Sequence, residues 1–312
     1  MDHLDKIDSV AKDTVLWAID PLAKPPAPDK LLMYRLSRLF AAAAYVMQPV
    51  EVVETTVVPP TKANERKLNA AGYLLELGIS GAEPTIIIAA NSKNANAEVT
   101  ALLAFAENAG TKCIMVTSHG RSGIERSYFG SFAEDLLKQS KYPVLFLNDV
   151  SCAQENQGPI TRAIFPTDFS ENSKRAFNEF LVQANRLKVK ITVFNAVSLP
   201  AIAAASEYGV PVIIPADYFS DQIKFAKQEG ALWLQHAESC GVEASLIVEY
   251  EGIGSGTEED IRLVAVRERA DLIVMSTTAG PVANLFFGNI ARDCFRRHCY
   301  PVWVYGPQSL RN

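Results

Sequence analysis

The chain has no excess of basic residues: 30 lysines and arginines are outnumbered by 35 aspartates and glutamates, for a net charge of −5. Neutralising a phosphate backbone needs the opposite balance, so no nucleic-acid partner is expected. Long apolar runs are missing too. The stretch Leu39 to Met47 falls far short of the ~20 residues that a membrane span needs. Met1 to Asp13 carries four aspartates and lacks the basic-then-apolar order of a signal peptide, so no membrane contact and a cytoplasmic location are expected. Cysteine is sparse: Cys113, Cys152, Cys240, Cys294 and Cys299 are an odd number, scattered, which argues against a disulfide framework and fits a reducing compartment. His298 lies between two of them and His119 precedes a glycine loop, but no second Cys or His pair completes a zinc site, and no metal is expected to be held by these residues. A Gly-x-Ser-x-Gly elbow and an eight-residue phosphate loop with lysine are also absent. Nothing here specifies a strong catalyst, and no catalytic residue is assigned.

What is present is apolar side chain for more than one core. At 312 residues with 48% hydrophobic and 21% charged residues, the chain exceeds the on-the-order-of 100 to 200 residues of one compact domain. Apolar runs of strand length alternate with segments of helical period, the pattern of parallel sheets crossed by helices. Strands are expected at Thr14–Ile19, Val50–Val58, Pro84–Ala89, Cys113–Thr117 and Pro143–Leu147. The order repeats at Arg162–Pro166, Lys190–Val197, Ala244–Glu249, Leu272–Ser276 and Pro301–Tyr305. Most are rich in Val, Ile and Phe without polar alternation, as strands covered on both faces should be. Ser131 to Val144 aligns without gaps on Asn289 to Val302, and Ala133, Asp135, Tyr142, Pro143 and Val144 recur as Ala291, Asp293, Tyr300, Pro301 and Val302. A repeat of this size implies duplication of a whole domain. The stretch Asn148 to Pro159 is polar and aperiodic, so domains are expected at 1–150 and 160–312 with a linker at 151–159.

One loop is suited to chemistry. Strand Cys113–Thr117 runs into Ser118-His119-Gly120-Arg121-Ser122-Gly123, and Gly130-Ser131 opens a helix. Glycines let backbone approach a ligand closely, and free N–H groups at a helix start attract anions, which together make a phosphate cradle. Arg121 and Ser122 add a cation and a hydroxyl; the other reading of Arg121 is a solvated surface arginine. Ser131 has two readings, a phosphate donor or a helix cap in a capping box with Glu134.

These residues resemble the universal stress protein domain. That family has Gly-x2-Gly-x9-Gly-Ser/Thr after its fourth strand, a Pro-Val strand at its end and an Asp closing its first strand. Gly120, nine intervening residues, Gly130 and Ser131 match, and Asp20 closes the first strand. Thr117 stands at the place of the first glycine, and Pro21 to Pro28 form a proline-rich stretch after Asp20. In the second copy Phe165-Pro166-Thr167-Asp168-Phe169-Ser170 matches the family's first strand and Ala270 to Ser276 its fourth. Counted from Gly280, with Thr277 at the first-glycine place, the second loop is two residues short before Gly288-Asn289 and contains Pro281. Asp168 is therefore read as a turn or cap aspartate.

The resemblance implies two tandem doubly wound α/β domains of five parallel strands in the order 3-2-1-4-5. They would be packed as an internal pseudo-dimer through Val144–Leu147 and Val302–Tyr305, with a homodimer of chains also open. It further implies a stress-response regulator that binds ATP or another adenine nucleotide, with Mg, in the first domain as an occupancy switch toward a protein partner. Asp20 would hold the nucleoside and Gly120, Arg121, Gly130 and Ser131 the phosphates, with Ser122 beside them and Thr117 at the loop's start. The alternative is a nucleotide-free interaction scaffold with vestigial sites, able to take a different small ligand. Slow ATP hydrolysis is the most that could be expected of it as an enzyme, since no general base is evident near the loop. Gly252-Ile-Gly254-Ser-Gly256 is a poor dinucleotide fingerprint, because the helix behind it opens with Glu258, Glu259 and Asp260 where a pyrophosphate needs positive potential.

Overall fold

A computed structural model describes residues 13–19, 30–54, 60–79, 82–89, 95–117, 131–147, 158–197, 217–250, 257–277 and 300–311. The first half runs β1 (Thr14–Ala18), α1 (Lys30–Ala42), β2 (Val46–Glu54), α2 (Pro60–Glu76), β3 (Thr85–Ala89), α3 (Ala95–Asn108), β4 (Thr111–Thr117), α4 (Ser131–Gln139) and β5 (Val144–Leu147). The second runs β6 (Arg162–Pro166), α5 (Glu171–Leu187), β7 (Lys190–Val197), α6 (Tyr218–Ser239), β8 (Ala244–Tyr250), α7 (Thr257–Arg267), β9 (Leu272–Ser276) and β10 (Val302–Tyr305). The segment where the second half's fourth helix is expected, 278–299, lies outside the described residues.

The ten strands form a single sheet in the order β3-β2-β1-β4-β5-β10-β9-β6-β7-β8. Each half has the expected order 3-2-1-4-5, with every pairing inside a half parallel. The halves meet where β5 and β10 run antiparallel, with Val302 opposite Phe146, Trp303 opposite Leu145 and Val304 opposite Val144. Since Val144 and Val302 are equivalent in the repeat, Leu145 and Trp303 are equivalent too, and they face one another across a pseudo-twofold axis. The pseudo-dimer is one continuous sheet.

Strand β2 starts four residues before its expected limit, running through Pro49 opposite Trp17. The alternation of strand groups explains this. Val46 N–H donates to Asp13 O and Val50 O accepts from Ile19 N–H, so the even positions face β1. Pro49, which has no N–H, therefore faces β3, whose ladder begins only at Val50 opposite Thr85.

Helices cover both faces. In α1, Leu32, Met33, Leu36, Leu39 and Phe40 are buried, and in α5, Ala176, Phe177, Phe180, Leu181, Ala184 and Leu187, spacings that make one apolar stripe on each helix. They pack with Trp17, Leu145, Trp303 and Phe165 in a core that spans both halves. Phe40 and Phe180 reach Trp303 with ring centroids 6.5 and 5.9 Å away. The opposite face, carrying Leu16, Ile114, Val144 and Val302, packs under α3, α4 and α7.

The join also brings backbone into close approach. A Cβ on Gly306, just beyond β10, would lie 2.3 Å from the carbonyl oxygen of Leu137 in α4. Backbone cannot yield as a flexible side chain does, so Gly306→Ala should destabilise the chain by about 1–3 kcal/mol. A urea-unfolding midpoint equal to the parent's would show that α4 does not lie against the end of β10.

Candidate functional site

In an open α/β sheet, ligands bind beyond the carboxyl ends of the strands where the strand order reverses. Here that occurs between β1 and β4 in the first half and between β6 and β9 in the second. In the first half Ala18 lies opposite Val116, and Ile19 N–H donates to Val50 O at 2.8 Å. Thr117, half-buried, ends β4 opposite Leu147, and α4 starts at Ser131 with Glu134 in its first turn. The structure thus places both ends of the glycine loop. Asp20, Gly120, Arg121, Ser122 and Gly130 lie outside the described residues, as do His119, Cys294, His298, Cys299 and the Gly252 to Gly256 loop. Thr257 opens α7 with Glu258, Glu259 and Asp260 in the first turn, as the helix dipole favours.

The second half shows a complete hydroxyl and carboxylate cluster at its reversal. Ser170 caps α5, its Oγ accepting from Ser173 N–H at 3.3 Å. Asp168 Oδ1 accepts from Ser170 N–H at 3.0 Å and from Ser173 Oγ at 2.7 Å. Ser173 Oγ also lies 3.4 Å from Ser276 Oγ at the end of β9. The turn between strand and helix is tight: Phe169 takes φ of 57°, its N–H held by Thr167 Oγ1 at 2.9 Å, while its ring packs edge-on against Trp233 at 5.2 Å. Partial burial, the largest influence on the Asp168 carboxyl, raises its pKa, but the hydrogen bonds from Ser173 and Ser170 together outweigh it and hold the value below that of an ordinary aspartate. Asp168 serves the turn and the helix start. Ser173 and Ser276 were not singled out in the sequence; the capping signal Ser170-x-x-Ser173 could have pointed to the first, and only the sheet brings in the second.

Sheet register also revises the comparison of the two loops. Leu16 pairs with Ile114 and Ile164 with Ile273, while Ile114 and Ile273 pair with the equivalent residues Val144 and Val302. Thr117 is therefore matched by Ser276 rather than Thr277, and Gly120 by Ala279 rather than Gly280. Counted along the sequence from these strand ends to Gly130 and Gly288, the second loop is shorter by one residue. Thr277 is buried instead, its N–H donating to Tyr305 O at 3.0 Å.

Among the described residues no group of three or more His, Cys, Asp or Glu side chains is arranged to hold a metal, and no helix is long and apolar enough to cross a membrane. Cys113 is fully buried, and burial pushes its thiol far above the ordinary range, which leaves it unreactive.

The sequence profile of the Universal stress protein family matches residues 10–148 and again 159–306. The chain belongs to the universal stress protein family. By that membership it is a stress-response protein built as a tandem pair of family domains. Its fold resembles that of a universal stress protein from Archaeoglobus fulgidus DSM 4304 (18% identity, 94% of this chain and 98% of that one, TM-score 0.58). It also resembles a protein of unknown function from Pseudomonas aeruginosa PAO1 (15% identity, 96% and 94%, TM-score 0.57). No curated protein matches the chain significantly.

A universal stress protein domain whose Asp is committed to a turn has a pH signature. Because the folded-state pKa is depressed, the carboxylate's stabilisation is present in full above the unfolded value of about 3.9 and is lost as pH falls through the folded one. Asp168→Ala should be less stable than the parent at pH 7, and the gap between their thermal midpoints should close as pH drops below about 4. A gap that stays constant with pH would show that the carboxylate's charge contributes nothing there.

Proposed function

We propose that the chain binds ATP or another adenine nucleotide, with Mg, in its first domain, and that occupancy changes its engagement of a protein partner. The observation that carries this reading is the anchoring of the glycine loop. Thr117 ends β4 directly beside β1 at the point of strand reversal, and Ser131 begins a helix, whose free first-turn N–H groups attract anions. Asp20 follows Ile19, the buried residue that continues β1. The first domain is favoured over the second because Asp168 is already bonded to Ser170 and Ser173, and because Ala279 stands in the second loop where the first has Gly120. Occupancy regulates only to the extent that the nucleotide binds two conformations unequally.

Half-buried Thr117 favours a second reading, since its side chain fills space that the family pattern leaves to glycine. In that reading the paired domains are a nucleotide-free scaffold. Calorimetric titration with MgATP separates the two. The parent chain should bind, Gly130→Asp should abolish binding through the added side chain and charge, and Asp168→Ala should leave it intact. No heat at millimolar ATP, or binding that survives Gly130→Asp, would favour the scaffold.

A further inference from the structure

The two halves are related by the pseudo-twofold axis, but the charges that meet across it are not repeated. Helices α1 and α5 end alike. Ala44 and Lys188 take φ of 58° and 57°, and Tyr45 N–H to Phe40 O is matched by Val189 N–H to Ala184 O. This makes Arg35 the equivalent of Glu179. The strand register that matches Ile114 with Ile273 makes Lys112 the equivalent of Asp271. Across the axis the first half's Arg35 bonds the second half's Asp271, with side chains only 7% and 1% exposed. Arg35 Nε also donates to Gly158 O at 2.6 Å, and Asp271 Oδ2 accepts from the N–H groups of Thr161 and Arg162 at 2.8 and 3.1 Å. The equivalent positions are occupied by Glu179 and Lys112, whose charges have the reverse signs.

Signs arranged in this way discriminate. Unlike halves set Arg35 against Asp271, while the equivalents Glu179 and Lys112 lie exposed, with Lys112 3.4 Å from Asp13. Two first halves would set Arg35 against Lys112 twice, and two second halves Glu179 against Asp271 twice. A like charge in a buried place is far more damaging than a lost attraction. A second contact works in the same direction. Arg186 of α5 grips the first half by bonding Asp13, donating from Nε to Ala43 O at 2.8 Å and lying 3.8 Å above the Tyr45 ring. Its equivalent in the first half is Ala42, and the places of Asp13 and Tyr45 are taken in the second half by Thr161 and Val189. Neither half can offer itself this grip.

We propose that the pairing face of each half, built from its last strand and first helix, accepts the other half and rejects a copy of itself, with Arg35 and Asp271 as the discriminating pair. The occupant of the β5 edge is thereby fixed as the second half of a chain of this kind.

The test removes the tether after folding. A protease site placed within residues 151–157 of the full chain is cut, and native mass spectrometry then counts like and unlike pairs of halves after dilution and reconcentration. The parent should give the unlike pair alone. Arg35→Glu, which sets Glu against Lys112 in a first-half pair and against Asp271 in the unlike pair, should raise the ratio of first-half pairs to unlike pairs by about tenfold or more. Adding Asp271→Lys should restore the unlike pair alongside like pairs, since every combination is then complementary. A parent that gives a statistical mixture, or an Arg35→Glu chain whose halves remain wholly unlike, overturns the proposal. If a cut variant fails to stay folded, the uncut chain decides. There Arg35→Glu and Asp271→Lys should each lower the unfolding midpoint and the double variant should recover most of the loss; a double variant no better than the sum of the two overturns the proposal.

Discussion

The antiparallel junction of β5 with β10 is the constraint on which the rest of the molecule depends. Three residue pairs centred on Leu145 and Trp303 convert two five-stranded sheets into one of ten. Without it, each half would expose an edge strand of four buried residues, a template for association with other chains. The apolar layer beneath α1 and α5 would also be split, because Phe40 and Phe180, from different halves, both pack on the same Trp303. Much of the apolar burial that the join supplies is therefore shared between halves rather than owned by either.

That junction is held in one orientation by ionic groups that contribute little net stability for their burial. A buried ion pair typically does no better than well-packed apolar residues of similar volume, because removing both charges from water is costly. Arg35 and Asp271 are nonetheless each given further hydrogen bonds, to Gly158, Thr161 and Arg162, so that few of their donors and acceptors are left unmet. Satisfied networks of this kind specify an arrangement more than they strengthen it. The same arginine binds the chain where it emerges from the linker, which ties the path between the domains to their interface.

The fold was largely legible in the sequence because buried parallel strands are written as continuous apolar runs. Arg162–Pro166, Lys190–Val197 and Leu272–Ser276 occur at their expected limits. Val46–Glu54 does not, since Pro49 reads locally as a breaker and only the late start of β3 makes it harmless. The site was less legible. Glycine spacing counts residues but not where a strand stops, so it matches Thr277 to Thr117, whereas the ladder places Ser276 there. Ser173 and Ser276 are 103 residues apart, and Arg35 and Asp271 are 236 apart, so no local pattern could join them. Gly120, Arg121, Ser122 and Gly130 stand out as a glycine loop between strand and helix, whereas Asp20 is recognisable only through likeness to a family, and no periodicity identifies any of them.

Because the halves join antiparallel, all strands of the first run one way along the slab and all strands of the second run the other way. Their carboxyl ends, and with them the two reversal points, open on opposite rims of the molecule. A visitor reading the first rim has no direct view of the second, so the duplicated chain is two-faced rather than bivalent. Any message from Thr117 to Ser276 has to cross the full breadth of the shared core.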